Sequence, residues 1–296
     1  MNRLNIVILS SVAFLFAGCF QSPQPQTVDL SDLSIPAVPT LLRSPKVQGV
    51  KSYPAHGTLT HRIIHLKNWH VVSKEMFAAD VRDLANEPVS DNEIDRLYEE
   101  HLDNVELLQE DQKRLLRHLI QNHGLKRVYY EGLTDENKPL FEMKIEAYAA
   151  AQIDAAEITR DSEEILAETD DPELRKQLED LLRDRRMFLL EMGAAGQLLM
   201  SGELEGVLPV EDARLYEKAK NPLSEDGHIE LESETIEARE DAMVNKMLDS
   251  GLFAFMVLDG GHDLSDNIER FGGGTCEYLT VETEWYSQLG GLAGAE

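Results

Sequence analysis

The chain has 296 residues, 42% of them hydrophobic, enough to bury a substantial core in one large domain or two small ones and too many for a disordered polymer. Its 28 lysines and arginines face 55 aspartates and glutamates, and the formal charge of −27 repels nucleic-acid phosphates and anionic lipid surfaces while attracting cations. No nucleic-acid partner is expected, and a solvated acidic surface is the plain account of the charge.

The amino terminus reads MNRLNIVILSSVAFLFAGC: a positive start at Arg3, an apolar run from Leu4 to Phe16, then Ala17 and Gly18 before Cys19. That order predicts a secretion signal, and its apolar part is short for a membrane span. The ending resembles a bacterial lipobox, with Phe16 where Leu, Val or Ile is usual, and implies lipidation of Cys19 and a membrane partner reached through a lipid anchor. The competing reading is ordinary cleavage beside a cysteine of no consequence. Phe20 follows the cysteine where Asp would mark inner-membrane retention, so an outer-membrane location facing the periplasm is expected in a two-membrane host. Cys276 is the one other cysteine, and no disulfide framework is expected.

Residues 20–56 hold six of the eleven prolines among Ser, Gln and Thr and lack any hydrophobic period, which predicts an extended tether. Residues 57–296 then form a single domain. Arg62 to Leu66 reads as a first strand, and a helix follows from Ser73. Ser90-Asp91-Asn92-Glu93 is a capping box opening a long helix that Gly124 ends. Lys126 to Tyr130 is a second strand. A charged helical insertion covers about 134–192, restarted by an N-cap and Pro at Asp171-Pro172. A short strand near Gly206 to Leu208, a polar loop, a helix from about Glu234 to Ser250, a buried strand from Leu252 to Leu258, a short helix from Leu264 to Phe271 and a last strand from Cys276 to Val281 complete the chain. Strands alternating with helices predict an α/β fold, a mostly parallel sheet flanked by helices, with ligands held outside the carboxyl ends of the strands.

Asn68 and His70 follow the first strand, which itself carries His65. Glu131 follows the second, and His262 and Asp263 follow the penultimate one. Two imidazoles and a carboxylate suit a divalent transition metal, which lowers the pKa of bound water and polarises a carbonyl as hydrolysis requires. His65 and His70 remain alternatives for the first imidazole. Each residue also has a structural reading: a hydrogen-bonded loop histidine, or Glu131, Asp263 and Ser265 as helix caps. There is no G-x-S-x-G nucleophile elbow and no complete dinucleotide or P-loop pattern.

The stretch ETIEAREDAMVNKMLDSGLFAFMVLDGGHDLSDNI is similar to the C-terminal signature of the TraB/Tiki proteins, in which an Arg-bearing helix precedes a strand and a G-x-x-H motif. QKRLLRHLIQNHGLKRVYYEGL resembles the helix, strand and glutamate of the wider superfamily that includes erythromycin esterases and ChaN-like haem-uptake lipoproteins. IIHLKNWHVV stands at its first strand and His motif. Lys67 and Asp259 occupy the positions where the two G-x-x-H motifs have Gly. The resemblance implies that His70, Glu131, Arg239 and His262 line one pocket. Together with the leader it points to an exported, lipid-anchored, metal-dependent hydrolase of peptide or ester bonds in peptide or small-molecule substrates, with Arg239 orienting Glu131 or neutralising an oxyanion. The alternative is a haem- or metal-binding lipoprotein without turnover, with Tyr129, Tyr130 and Tyr278 as candidate haem ligands. A scaffold with an idle pocket is the third reading.

Overall fold

The computed structural model describes residues 47–85, 88–219 and 233–293. The predicted leader, Cys19 and the tether up to residue 46 lie outside them. The chain order is β1 (Val47–Tyr53), β2 (His61–Asn68), α1 (Lys74–Leu84), α2 (Asp91–His123), β3 (Arg127–Tyr130), α3 (Lys138–Glu168), α4 (Pro172–Met200), β4 (Gly206–Pro209), α5 (Ala213–Ala219), α6 (Ser233–Ser250), β5 (Phe253–Asp259), α7 (Ser265–Gly272), β6 (Cys276–Thr283) and α8 (Glu284–Ala293).

One sheet runs β1-β6-β2-β5-β3-β4. Every neighbouring pair is parallel except β1 with β6, so the predicted α/β architecture is present. Helices cover both faces. Ile64 and Leu66 of β2 and Phe255 and Val257 of β5 pack with Leu115 and Leu116 of α2 and Ala194 and Leu198 of α4. The alternate residues Ile63, Met256 and Leu258 pack with Met243 and Met247 of α6 and Ile268 of α7. Leu66, Leu116 and Leu198 are fully buried, each stabilising the fold by roughly 1.5–3 kcal/mol.

The helix starts are chemically explicit. Ser90 Oγ accepts from Glu93 N at 3.3 Å, and Gly124 closes α2 in the left-handed region at φ 66°. Asp171 Oδ1 accepts from Glu173 N and Leu174 N before Pro172, so the insertion is a hairpin of α3 and α4. Within α4 the helix breaks at Gly193, φ 59° and ψ 176°, a conformation open essentially to Gly. Side chains reach the four consecutive carbonyls just before the break, the Tyr130 hydroxyl proton being shared between two of them. Gln197 Nε2 donates to Leu189 O and Gln109 Nε2 to Leu190 O, each at 2.8 Å. Tyr130 Oη donates to Glu191 O and Met192 O, at 3.3 and 2.8 Å.

Three features depart from the sequence reading. Val47–Tyr53, inside the predicted tether, is an edge strand on β6, because its backbone finds a partner that its own pattern does not announce. The loop before α6 contains the short helix α5. A terminal helix, α8, follows β6 and was not anticipated.

Candidate functional site

Parallel register aligns the strand ends on one rim: Asn68 stands opposite Asp259, and Tyr130 opposite both Val257 and Pro209. β3 stops at Tyr130, and the next residue, Glu131, buries its carboxylate under this rim with a side-chain exposure of 12%. Oε2 accepts from Asp259 N at 2.7 Å and lies 2.5 Å from His70 Nε2. Oε1 lies 3.6 Å from His262 Nε2 and 3.9 Å from Arg239 Nη2. The structure therefore brings His70, Glu131, Arg239 and His262 together around one carboxylate.

Electrostatics follows from that packing. Burial pushes the Glu131 carboxyl upward, but the charges and hydrogen bonds of His70 and His262 outweigh it and hold the group well below its ordinary value. Burial opposes the charged form of both imidazoles, yet the carboxylates win, raising His70 to about 9 and His262 to about 10. His70 is the open member, with 41% of its side chain exposed against 11% for His262.

A second set of carboxylates holds the first. Glu240, beside Arg239 on α6, takes His262 Nδ1 at 2.7 Å and leaves Nε2 facing Glu131. Glu211, whose side chain is fully buried, receives Arg239 Nη2 at 2.5 Å and Nε at 3.2 Å. It also lies 3.4 Å from Gly132 N, tying the guanidinium to the turn that carries Glu131. Gln112 Nε2 donates to Lys67 O and to Asn68 Oδ1, which leaves Asn68 Nδ2 at 3.5 Å from His70 Nδ1.

The Asp259-Gly260-Gly261-His262 turn has its own logic. Asp259 Oδ1 accepts from Gly261 N at 2.7 Å, closing an Asx turn, so the acid in place of Gly builds the loop. Gly260 is required for space, since a Cβ there would stand 1.7 Å from Tyr286 Oη. Tyr286 also meets Trp69 edge to face and lies under Lys67 Nζ, so α8 braces both histidine loops. Asp263 Oδ1 accepts from Ser265 N at 3.1 Å, an Asx turn leading into α7, whose N-cap position is Leu264 and not Asp263 or Ser265.

Other candidates lie elsewhere. His65 is completely buried, with Nδ1 on Tyr278 Oη and Nε2 on Leu258 O, and burial lowers it to about 4; the cleft imidazole is His70. Tyr278 is buried in the opposite layer, and Tyr129 is bonded to Ser250. Of the three tyrosines weighed as haem ligands, Tyr130 alone borders the cleft, with its hydroxyl committed to α4 carbonyls. Cys276 is a buried core thiol that burial pushes up to about 11.

Glu211 and Glu240 were not anticipated. The rule that found the others, taking the residues just past each strand, finds Glu211 when applied to β4. Glu240 is signalled only by its place beside Arg239. The cleft outside His70 has a volume of about 480 Å³ and is walled by Tyr130, Leu140, Phe141, Lys144, Met192 and Tyr216.

Among the described residues no three His, Cys, Asp or Glu side chains form a ready metal cage. The donor chemistry nevertheless suits one. Donors about 2.1 Å from a shared ion stand roughly 3.0–3.5 Å from one another. The His262–Glu131 spacing of 3.6 Å is near that, and the 2.5 Å His70–Glu131 contact is a hydrogen bond that must open slightly, through the more exposed side chain. Glu240 behind His262 is the carboxylate that metal-ligating histidines commonly carry on their second nitrogen. The chain has no match among protein-family models, curated proteins or solved structures.

Proposed function

We propose that this cleft is a hydrolytic centre for ester or amide bonds, of the TraB/Tiki type, in which His70, Glu131 and His262 hold a divalent transition metal. The observation that supports it is one buried carboxylate with an imidazole Nε2 at each oxygen, on the carboxyl rim of a parallel sheet beside an open cleft. A bound metal would supply Lewis acidity and an acidified water. The chain's residues do the rest. Glu240 fixes the His262 tautomer, Glu211 holds Arg239, and Arg239, 3.9 Å from Glu131, orients that carboxylate and offers N–H groups to a developing oxyanion. The proposal includes export and a lipid anchor at Cys19, tethering the domain to the outer membrane in a two-membrane host.

Protein lacking residues 1–19 is expected to purify with roughly one Mn, Fe, Co or Zn per chain by elemental analysis, and His262→Ala to lose it. Metal content unchanged by that substitution would remove the site assignment.

The 2.5 Å His70–Glu131 pair favours a second reading, a metal-free dyad with an open imidazole backed by a buried carboxylate. Neutral His70, the form that prevails above about pH 9, would take a proton from water as its oxygen bonds to the carbonyl carbon. The carbon to leaving-group bond then breaks, and the proton passes to the leaving group. Chelation separates the two: turnover that survives complete metal removal supports the dyad.

A further inference from the structure

The helical hairpin contributes a wall to the cleft as well as to the fold. Asn137, Leu140, Phe141 and Lys144 follow one another at helical spacing along α3, and all four line the cavity. Asn137 Nδ2 donates to Gly132 O at 2.9 Å, so this stripe begins beside the turn that carries Glu131. Lys144 stands about two turns, or about 10 Å, further along it. Glu191 and Met192 of α4, just before the break at Gly193, also line the cavity.

In a chain this acidic most cations are engaged: Lys138, also on α3, pairs with Glu142, Lys246 pairs with Asp135, and Arg239 pairs with Glu211. Lys144 and Glu191 are the two charged residues lining this cavity whose side chains have no ion pair among the described residues. They stand on different helices, with Leu140, Phe141 and Met192 supplying apolar surface in the same cavity. Two charges of opposite sign, without an ion pair among the described residues, in one half-apolar cleft complement a ligand of the reverse polarity.

We propose that Lys144 and Glu191 are specificity-determining residues that select a small zwitterion, with Lys144 taking its carboxylate, Glu191 its ammonium, and Leu140, Phe141 and Met192 its apolar middle. The inference concerns the cleft of the proposed hydrolytic centre and rests on that cleft being its ligand site. It is tested by equilibrium binding, so that a failure of catalysis counts only against the hydrolytic reading.

The probes are 8-aminooctanoate and 11-aminoundecanoate, each compared by calorimetry with its methyl ester and its N-acetyl derivative on the full exported protein. One zwitterion is expected to bind tighter than either capped form by about fivefold or more. Lys144→Glu is expected to erase the preference over the methyl ester, and Glu191→Lys the preference over the N-acetyl form. Both side chains are exposed, and an unchanged melting temperature verifies that each variant folds. Equal binding of free and capped probes by the wild type, no binding of any probe, or discrimination that survives both reversals would overturn the assignment.

Discussion

Glu131 collects four contacts on two oxygens, and its charge sets the ionisation of everything around it. Replacing it by Gln removes the anion and leaves burial opposed at His70 only by the weaker pull of the Asp259 carboxylate. The His70 imidazole, raised to about 9, is expected to fall to 6.5 or below, as read by NMR titration of its ring protons. His262 carries a stability consequence with a definite sign. Its folded value of about 10 lies above its ordinary 6.5, so the metal-free protein holds that contribution in full below pH 6.5 and loses it as pH rises toward about 10. The melting temperature is expected to decline across that window, and His262→Ala to flatten the decline; equal slopes in both proteins would show that the pair contributes nothing. His70, Glu131 and His262 were legible in sequence because each follows a strand. Of their carboxylate supports only Glu211, just past β4, carries that signal; its pairing with Arg239, and that of Glu240 with His262, depends on how α6 crosses the rim and no spacing along the chain encodes it.

At the scale of elements, caps and glycines made the long helices readable: Ser90, Gly124 and Asp171-Pro172 fix three boundaries by local chemistry. The predicted end of the insertion, near residue 192, coincides with the α4 break, where the helix passes from the hairpin to the sheet. Gly193→Ala must force Ala into a region closed to it and disturb the Tyr130 contacts, and a loss of about 1–3 kcal/mol is expected in urea unfolding. α8 escaped notice because its role is tertiary. Trp285 fastens it to α2 through Asp111 and the Asn104 carbonyl, and Tyr286 covers Gly260. Gly260→Ala would drive a methyl into the Tyr286 hydroxyl, so the His262 loop must shift. The expected outcome is weakened metal retention with near-normal far-UV circular dichroism; unaltered retention would mean that the brace is not needed.

For the whole molecule, the two-layered cover and parallel order were legible because strands buried on both faces read as continuous apolar runs, as FAFMVL does in β5. Strand order was not, since it is set by how α2, α4, α6 and α7 pack over the sheet. The antiparallel edge strand β1 was invisible for a related reason: it borrows its regularity from β6. The sheet order also fixes a sequence of events in time. β5, at Phe253–Asp259, lies between β2, at His61–Asn68, and β3, at Arg127–Tyr130, so the earliest strands are joined by one of the last to be made. A chain emerging from a ribosome holds Glu131 and His70 long before it holds the strand that brings them together. The site is therefore assembled only after nearly the full length has arrived. Such non-local closure makes folding slow, and the burial of Trp285 and the formation of the sheet are expected in the same late phase of refolding. The proposed metal centre would then be a property of the finished protein, absent from any chain still being made.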